Sequence, residues 1–361
     1  MVMAKIDAFL KMMGEQGASD MHMAVGAPPM LRINGTLQPI EYPPLTDEVL
    51  RPMLYEMLSE RQIERFEKTH DLDFAYTAPG IARFRANLYL KFTGIAVAFR
   101  IIPLKARTLD EINAPPVFKT MCEYRNGLVL VTGPTGCGKS TTLASLIHYI
   151  NQNADEHILT LEDPLEFIHE PINCLISQRE IGAHSDSFTT ALRAALREDP
   201  DVVLVGEMRD LETIQLAISA AETGHLVFGT LHTNNAVKTV DRIIDVFPAD
   251  RQTQVRTMLA ESLRGVICQQ LLKRADGNGR IAAFEVLLAT QAVRSLIREQ
   301  KTFQIGSIIS TGRKDNMQAM EQHLLELVQK RLVTLDEAIK HSETPAALMA
   351  KINAQAPAET K

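Results

Sequence analysis

The octapeptide GPTGCGKS, residues 133–140, constrains this 361-residue chain more than any other stretch. It fits the pattern G-x-x-x-x-G-K-[ST], follows directly on the apolar run GLVLVT, and opens a helical pattern through 139–151. A strand, a glycine-rich loop and a helix in that order belong to a parallel sheet covered by helices on both faces. The alternation continues through HILTLED, a helix around 187–198, DVVLVGE, a helix near 210–222, and LVFGTLHT. These runs are short and nearly all apolar, as strands buried on both faces must be. From about 250 onward the pattern reads as helical. The fold class is α/β.

Residues 1–102 read differently, as an α+β domain. MVMAKIDAFLKMMGEQ is a short amphipathic helix, interrupted by Lys5, Asp7 and Lys11 and so not a secretory signal. Met21, Met23 and Val25 alternate, and Asn34-Gly35 is placed for a type I′ hairpin turn. Residues 47–68 read as one helix with Val49, Leu50, Met53, Leu54, Met57 and Leu58 on its apolar stripe. In RFRANLYLKF, Phe84, Ala86, Leu88, Leu90 and Phe92 face one way, while Arg83, Arg85, Asn87, Tyr89 and Lys91 face the other. Thr93-Gly94 then turns the chain into IAVAFRII, which carries Arg100. A polar, turn-rich linker over 103–114 leads to a second domain, 115–361, with a helical region at about 290–350 and a terminal INAQAPAETK that has little to bury.

The chemistry is concentrated in the second domain. Gly133, Gly136 and Gly138 let the backbone of the loop, with Pro134, Thr135 and Cys137 between them, turn its N–H groups toward phosphate oxygens. The helix N-terminus at Lys139, Ser140 and Thr141 adds positive potential. Lys139 reaches the β- and γ-phosphates, and the Ser140 hydroxyl is a ligand for Mg2+. DVVLVGEMRD carries Gly206 where an aspartate is expected, and Glu207 only afterwards. Glu162 and Asp163 end the neighbouring strand HILTLED. Ligands of open α/β sheets sit outside the carboxyl ends of the strands, so both strand ends face the γ-phosphate and two carboxylates share the work on metal and water. Alternatively, Glu162 only pairs locally before Pro164. His232 ends LVFGTLHT and His225 precedes it. On an extended strand they project from opposite ends and opposite faces, which argues against a shared metal and leaves His232 nearer the phosphate. Arg83, Arg85 and Arg100 are either solvated or supply charge to a transition state; Arg193 and Arg197 lie one turn apart on the helix before DVVLVGE.

Composition narrows the function classes. A net charge of −6, no Trp and 5% aromatic residues argue against a nucleic-acid motor with a basic or aromatic-lined channel. No run approaches the roughly 18–20 apolar residues of a membrane-spanning helix. The four cysteines, Cys122, Cys137, Cys174 and Cys268, form no C-x-x-C pair, which fits small buried residues in a reducing cytoplasm rather than a zinc site.

GPTGCGKST, LTLEDPLEF, DVVLVGEMRD and TGHLVFGTLHTNNA, in this order, resemble the Walker A, Asp-box, Walker B and His-box motifs of the secretion-superfamily ATPases. ASDMHMAVGAPPMLRINGTL and RFRANLY…AFRIIP are similar to the N-terminal PAS-like domain of one branch, the type IV pilus retraction ATPases (PilT family). AVRSLIRE, 292–299, is similar to that branch's AIRNLIRE motif and departs from it at Val293 and Ser295. The resemblance implies a PAS-like domain followed by a RecA-like P-loop ATPase domain, assembled as a cytoplasmic homo-hexamer that holds ATP between the two domains. It implies Glu162 as the general base, Glu207 on magnesium through water, nucleotide contacts from Arg85 and Arg100 and, less securely, Arg83 and Arg193, and roles for His225 and His232 from the His box. It further implies a platform protein at the inner-membrane pilus base as partner, with a paralogous retraction ATPase as a second one. Motors for pilus extension or type II secretion are the nearest alternative, and they usually carry a longer N-terminal region and a tetracysteine element. A nucleotide-dependent binding switch without turnover is another.

Overall fold

The computed structural model describes residues 4–33, 35–102 and 105–355. These divide into two compact units, one reaching to Lys105 and including Pro164–Ile168, the other formed by Ala106–Asp163 and the chain from His169 onward.

The first unit contains α1 (Asp7–Glu15), β1 (Asp20–Ala24), β2 (Met30–Ile33), β3 (Thr36–Pro39), α2 (Asp47–Tyr55), α3 (Glu60–Thr69), β4 (Asp71–Ala78), β5 (Ala82–Lys91) and β6 (Gly94–Ile102). Its six strands pair antiparallel in the order β3-β2-β1-β6-β5-β4. Phe84, Ala86 and Leu88 of β5 are fully buried among Met21, Met23 and Phe99 of the sheet and Leu10, Met13, Leu54 and Phe66 of the helices. Leu90 and Phe92 break the expected stripe and are exposed, because the strand pair runs on past its buried stretch into the hairpin turn. The single helix expected over 47–68 is two. Ser59 accepts from the Gln62 backbone N–H while the Gln62 side chain returns to the Ser59 N–H, a capping box that starts α3 afresh. Val49, placed on the stripe, is exposed. Asn34 lies outside the described residues; on either side of it Ile33 pairs with Thr36, and Gly35 has φ +84°.

The second unit runs through α4 (Val117–Cys122), β7 (Gly127–Thr132), α5 (Lys139–Asn153), β8 (His157–Glu162), β9 (Leu175–Glu180), α6 (Phe188–Ala195), β10 (Val202–Val205), α7 (Leu211–Glu222), β11 (Leu226–Leu231), α8 (Ala236–Asp245), α9 (Ala249–Ser262), β12 (Leu263–Lys273) and β13 (Arg280–Leu288). Helices α10 (Gln291–Arg298), α11 (Ile305–Thr311), α12 (Met320–Gln329), α13 (Leu335–His341) and α14 (Pro345–Gln355) follow. The strand order is β13-β12-β7-β11-β10-β8-β9, parallel from β12 to β9, with β13 antiparallel at the edge. Alternation along β7 sorts its side chains: Leu128 and Leu130 pack with α7, α8 and α9, and Val129 and Val131 with α4 and α5. Every β7 side chain is therefore covered, which is why the strand reads as an unbroken apolar run.

The helical reading beyond 250 is corrected by β12 and β13. In LRGVICQQLLK the apolar Leu263, Val266, Ile267, Leu271 and Leu272 fall at three- and four-residue steps and imitate a helical face, while β12 is in fact a strand with both faces mostly buried. The partly exposed edge strand β9 carries too little apolar signal to be anticipated. Arg197 lies beyond the end of α6, so the expected one-turn pair with Arg193 is not formed within one helix. AVRSLIRE forms most of α10, capped by Thr290, with Val293 and Ile297 buried and Arg298 paired to Glu261 at 3.1 Å. The end of INAQAPAETK, 356–361, and residues 103–104 lie outside the described residues.

Phe284 joins β13 to two helices, edge-on to Phe118 of α4 and stacked on His323 of α12. Phe284→Ala is expected to destabilise the second unit by about 3–5 kcal/mol, read as a lower urea midpoint by circular dichroism. A shift of a few tenths would mean that β13 is not a core strand.

Candidate nucleotide site

The loop between β7 and α5 turns on left-handed backbone at Gly133, Gly136 and Gly138, with φ of +141°, +80° and +93°. A side chain at Gly133 would begin 2.3 Å from the Gln269 carbonyl oxygen of β12 and 2.7 Å from the Cys137 Sγ, so only glycine fits where the strand enters the loop. Pro134, Thr135 and Gly136 form the exposed rim, while Cys137 is buried beneath it. Lys139 curls over the loop and donates from Nζ to the carbonyls of Gly133 (2.8 Å) and Pro134 (3.2 Å). Ser140 and Thr141 follow on the first turn of α5, where free N–H groups and the helix dipole favour an anion.

Register brings the carboxylates to the same edge. Leu231 of β11 stands opposite Thr132 of β7, Val205 of β10 opposite Gly229 of β11, and Leu161 of β8 opposite Val205. The parallel strands therefore all end beside the loop. Gly206 extends β10 by donating its N–H to the Leu161 carbonyl at 2.7 Å. A Cβ there would lie 2.9 Å from that oxygen and 3.2 Å from the Glu162 Cα. The position where an aspartate was expected has no room for a side chain, and the acid moves one residue on.

Glu207 Oε1 meets His232 Nε2 at 2.8 Å and pairs closely with Arg209 Nε. Burial pushes the Glu207 carboxyl up, but the hydrogen bonds from Arg209 and His232 outweigh it and hold it below the usual carboxylate range. Its contribution to stability is therefore full above the unfolded-chain value and is lost as pH falls through the depressed folded value. Glu162, half-buried, accepts from the Thr160 hydroxyl at 2.8 Å. Arg209 was not singled out from the sequence, although its place two residues after the acid was in plain view.

His225 sits at the other end of β11, its Nδ1 3.0 Å from the Ala220 carbonyl. Seven residues of extended chain, roughly 23 Å, separate it from His232. Arg193, late in α6, pairs with Glu212 of α7 at the surface. Glu212 lies in the first turn of α7, five residues after Glu207, so this pair holds the Arg193 side chain at the start of the helix that leaves the carboxyl end of β10. In the first unit Arg85 stands directly opposite Arg100, Arg100 opposite Asp20, and Asp20 opposite Arg32, a row across four strands. Asp20 Oδ1 holds Arg100 Nε at 2.7 Å. Burial raises the Asp20 carboxyl, yet hydrogen bonds from Ser19 and Arg100 bring it below its ordinary value.

A family model for type II/IV secretion system proteins matches residues 1–340. The chain belongs to this family. It is 48% identical over 340 residues to the type IV pilus retraction ATPase PilT of Pseudomonas aeruginosa, covering 94% of this chain and 98% of that protein. A twitching motility protein of Neisseria gonorrhoeae is 50% identical over 315 residues, 87% of this chain and 84% of that one. The crystal structure of the pilus retraction motor PilT with bound ADP superposes with a TM-score of 0.90 at 44% identity, covering 96% of this chain and 99% of that one. The expected α/β class, with a PAS-like α+β unit followed by a RecA-like P-loop unit, is borne out.

Arg209→Ala removes the strongest group holding Glu207 ionised and leaves its burial. The Glu207 carboxyl is expected to titrate at higher pH in the variant, followed by carboxyl 13C NMR; an unchanged midpoint would show that Arg209 does not govern it.

Proposed function

We propose that this chain is a Mg2+-dependent ATPase that works as a homo-hexameric ring and drives type IV pilus retraction. The observation that carries the enzymatic part is the convergence of the P-loop, Glu162, Glu207 and His232 on one edge of the sheet. The identity with PilT over nearly the whole of both chains supports the retraction role.

Lys139 and the loop N–H groups bind the β- and γ-phosphates, exchanging the Gly133 and Pro134 carbonyls for phosphate oxygens at the ammonium. Glu162 accepts the hydrogen bond of the attacking water and orients it in line with the γ-phosphate. The residues present fit magnesium: Ser140 and Glu207 offer the hard oxygen donors that Mg2+ takes, a few protein oxygens alongside water and phosphate. When bound, Mg2+ supplies charge screening to the phosphate oxygens. His232, anchored on Glu207, senses whether a γ-phosphate is present. Arg85 and Arg100 bring positive charge to a nucleotide. Arg193, held by Glu212 at the start of α7, adds positive charge near the carboxyl edge, whereas His225 stands at the opposite end of β11 and its nucleotide contact is with a neighbouring copy.

No helix among the described residues is long and apolar enough to cross a membrane. For action at the inner-membrane pilus base we propose the platform protein as partner, with a paralogous retraction ATPase as a further partner.

Glu162→Gln is expected to keep its affinity for ADP with magnesium while ATP turnover falls by about 10²-fold or more, and Lys139→Ala is expected to lose binding itself. Wild-type turnover by Glu162→Gln would remove it as the base. Specific activity is also expected to fall on dilution as the ring dissociates; a monomeric mass with undiminished activity would contradict the ring.

A further inference from the structure

The peptide joining Cys137 to Gly138 sits at the base of the P-loop. A trans peptide points its C=O and N–H in opposite directions, so whatever fixes one aims the other. Local sterics leave this peptide free to turn over, because Gly138 lacks a Cβ and glycine accepts backbone conformations of either hand.

The fixing group comes from β12. Cys268 lies opposite Thr132 in the parallel β12–β7 ladder, which brings Gln269 to the point where β7 leaves the sheet. Gln269 is 2% exposed and donates from Nε2 to the Cys137 carbonyl at 2.6 Å. Its backbone carbonyl closes on Gly133 at the start of the loop, and its amide nitrogen lies 3.2 Å from where a Cβ of Gly138 would be. One residue thus touches both ends of the phosphate loop. Its Oε1 is buried without a hydrogen-bond partner among the described residues. An unmet buried acceptor costs stability, and an apolar side chain of similar shape would fill the space without that penalty. The amide is therefore not accounted for by packing, and what it contributes is its donor.

We propose that Gln269 is a positioning residue for nucleotide phosphates. By drawing the Cys137 carbonyl toward β12 it turns the Gly138 N–H the opposite way, out toward the bound anion. The inference rests on the reading of this loop as a nucleotide site.

The test is calorimetric titration of the full chain with ADP and magnesium. Gln269→Met keeps the volume and removes the donor, and binding is expected to weaken by about ten-fold or more. Gln269→Glu offers a second readout. Ionised, the carboxylate only accepts and faces a carbonyl; protonated, it donates again, and burial raises the pH at which that happens. Its deficit is expected to shrink as pH falls from about 8 to about 6, whereas that of Gln269→Met stays constant relative to wild type. If both variants bind like wild type while Lys139→Ala does not, Gln269 has no such role although the nucleotide site stands. If wild type and Lys139→Ala are equally inert toward ADP, the site reading fails and this inference fails with it. Should Gln269→Met not fold, a pH-independent deficit in Gln269→Glu overturns the proposal by itself.

Discussion

One backbone hydrogen bond organises the site: the Gly206 N–H to the Leu161 carbonyl, 2.7 Å, at the end of β10. It draws the tail of β10 onto β8 so closely that no side chain can be accommodated at 206. The chain therefore presents no acid at that position and places Glu207 one step further out, where His232 and Arg209 hold it ionised. Glu162, on the strand that Gly206 touches, accepts from the Thr160 hydroxyl instead. Two carboxylates within one edge thus acquire different surroundings, and different surroundings allow different roles. The glutamate after the glycine is a consequence of close strand packing, not a degraded motif.

Much of this was legible in the sequence because the relevant signals are local. A glycine loop between an apolar strand and a helix specifies its own geometry, and a strand buried on both faces advertises itself as a continuous apolar run. What was not legible depends on contacts distant along the chain. The three- and four-residue spacing of Leu263, Val266, Ile267 and Leu271 is compatible with a helix, and only pairing with β7 decides otherwise. The break between α2 and α3 turned on Ser59 and Gln62, an exposed capping pair inside an apolar stripe that seemed continuous. The same limits applied to the site. Glu162, Glu207 and His232 could be placed at strand ends from sequence, and the structure brings them to one edge. The length of β11 separates His225 from them, and Arg193 meets Glu212 in the first turn of α7, a contact between two helices that sequence spacing does not reveal.

The misread strand and the overlooked support for the P-loop are the same element. Read as helix, β12 offers no reason to notice Gln269; read as the neighbour of β7, it puts that side chain directly under the phosphate loop. Glycine gives the loop its freedom to wrap an anion, and that freedom has to be restricted from outside the loop. Arg100 is held in a comparable way in the first unit, by Asp20 on the adjacent strand. In both units a long-range hydrogen bond fixes the direction of a polar group.

The central claim is that nucleotide chemistry at this edge powers the withdrawal of pili, and the most direct measurement is made in cells lacking the chain. Surface pili are counted by electron microscopy and single filaments are filmed, with the wild-type chain restored in parallel. The account predicts abundant pili that extend but do not retract, with retraction returning on complementation. Cells without pili would contradict it and assign the chain to extension instead.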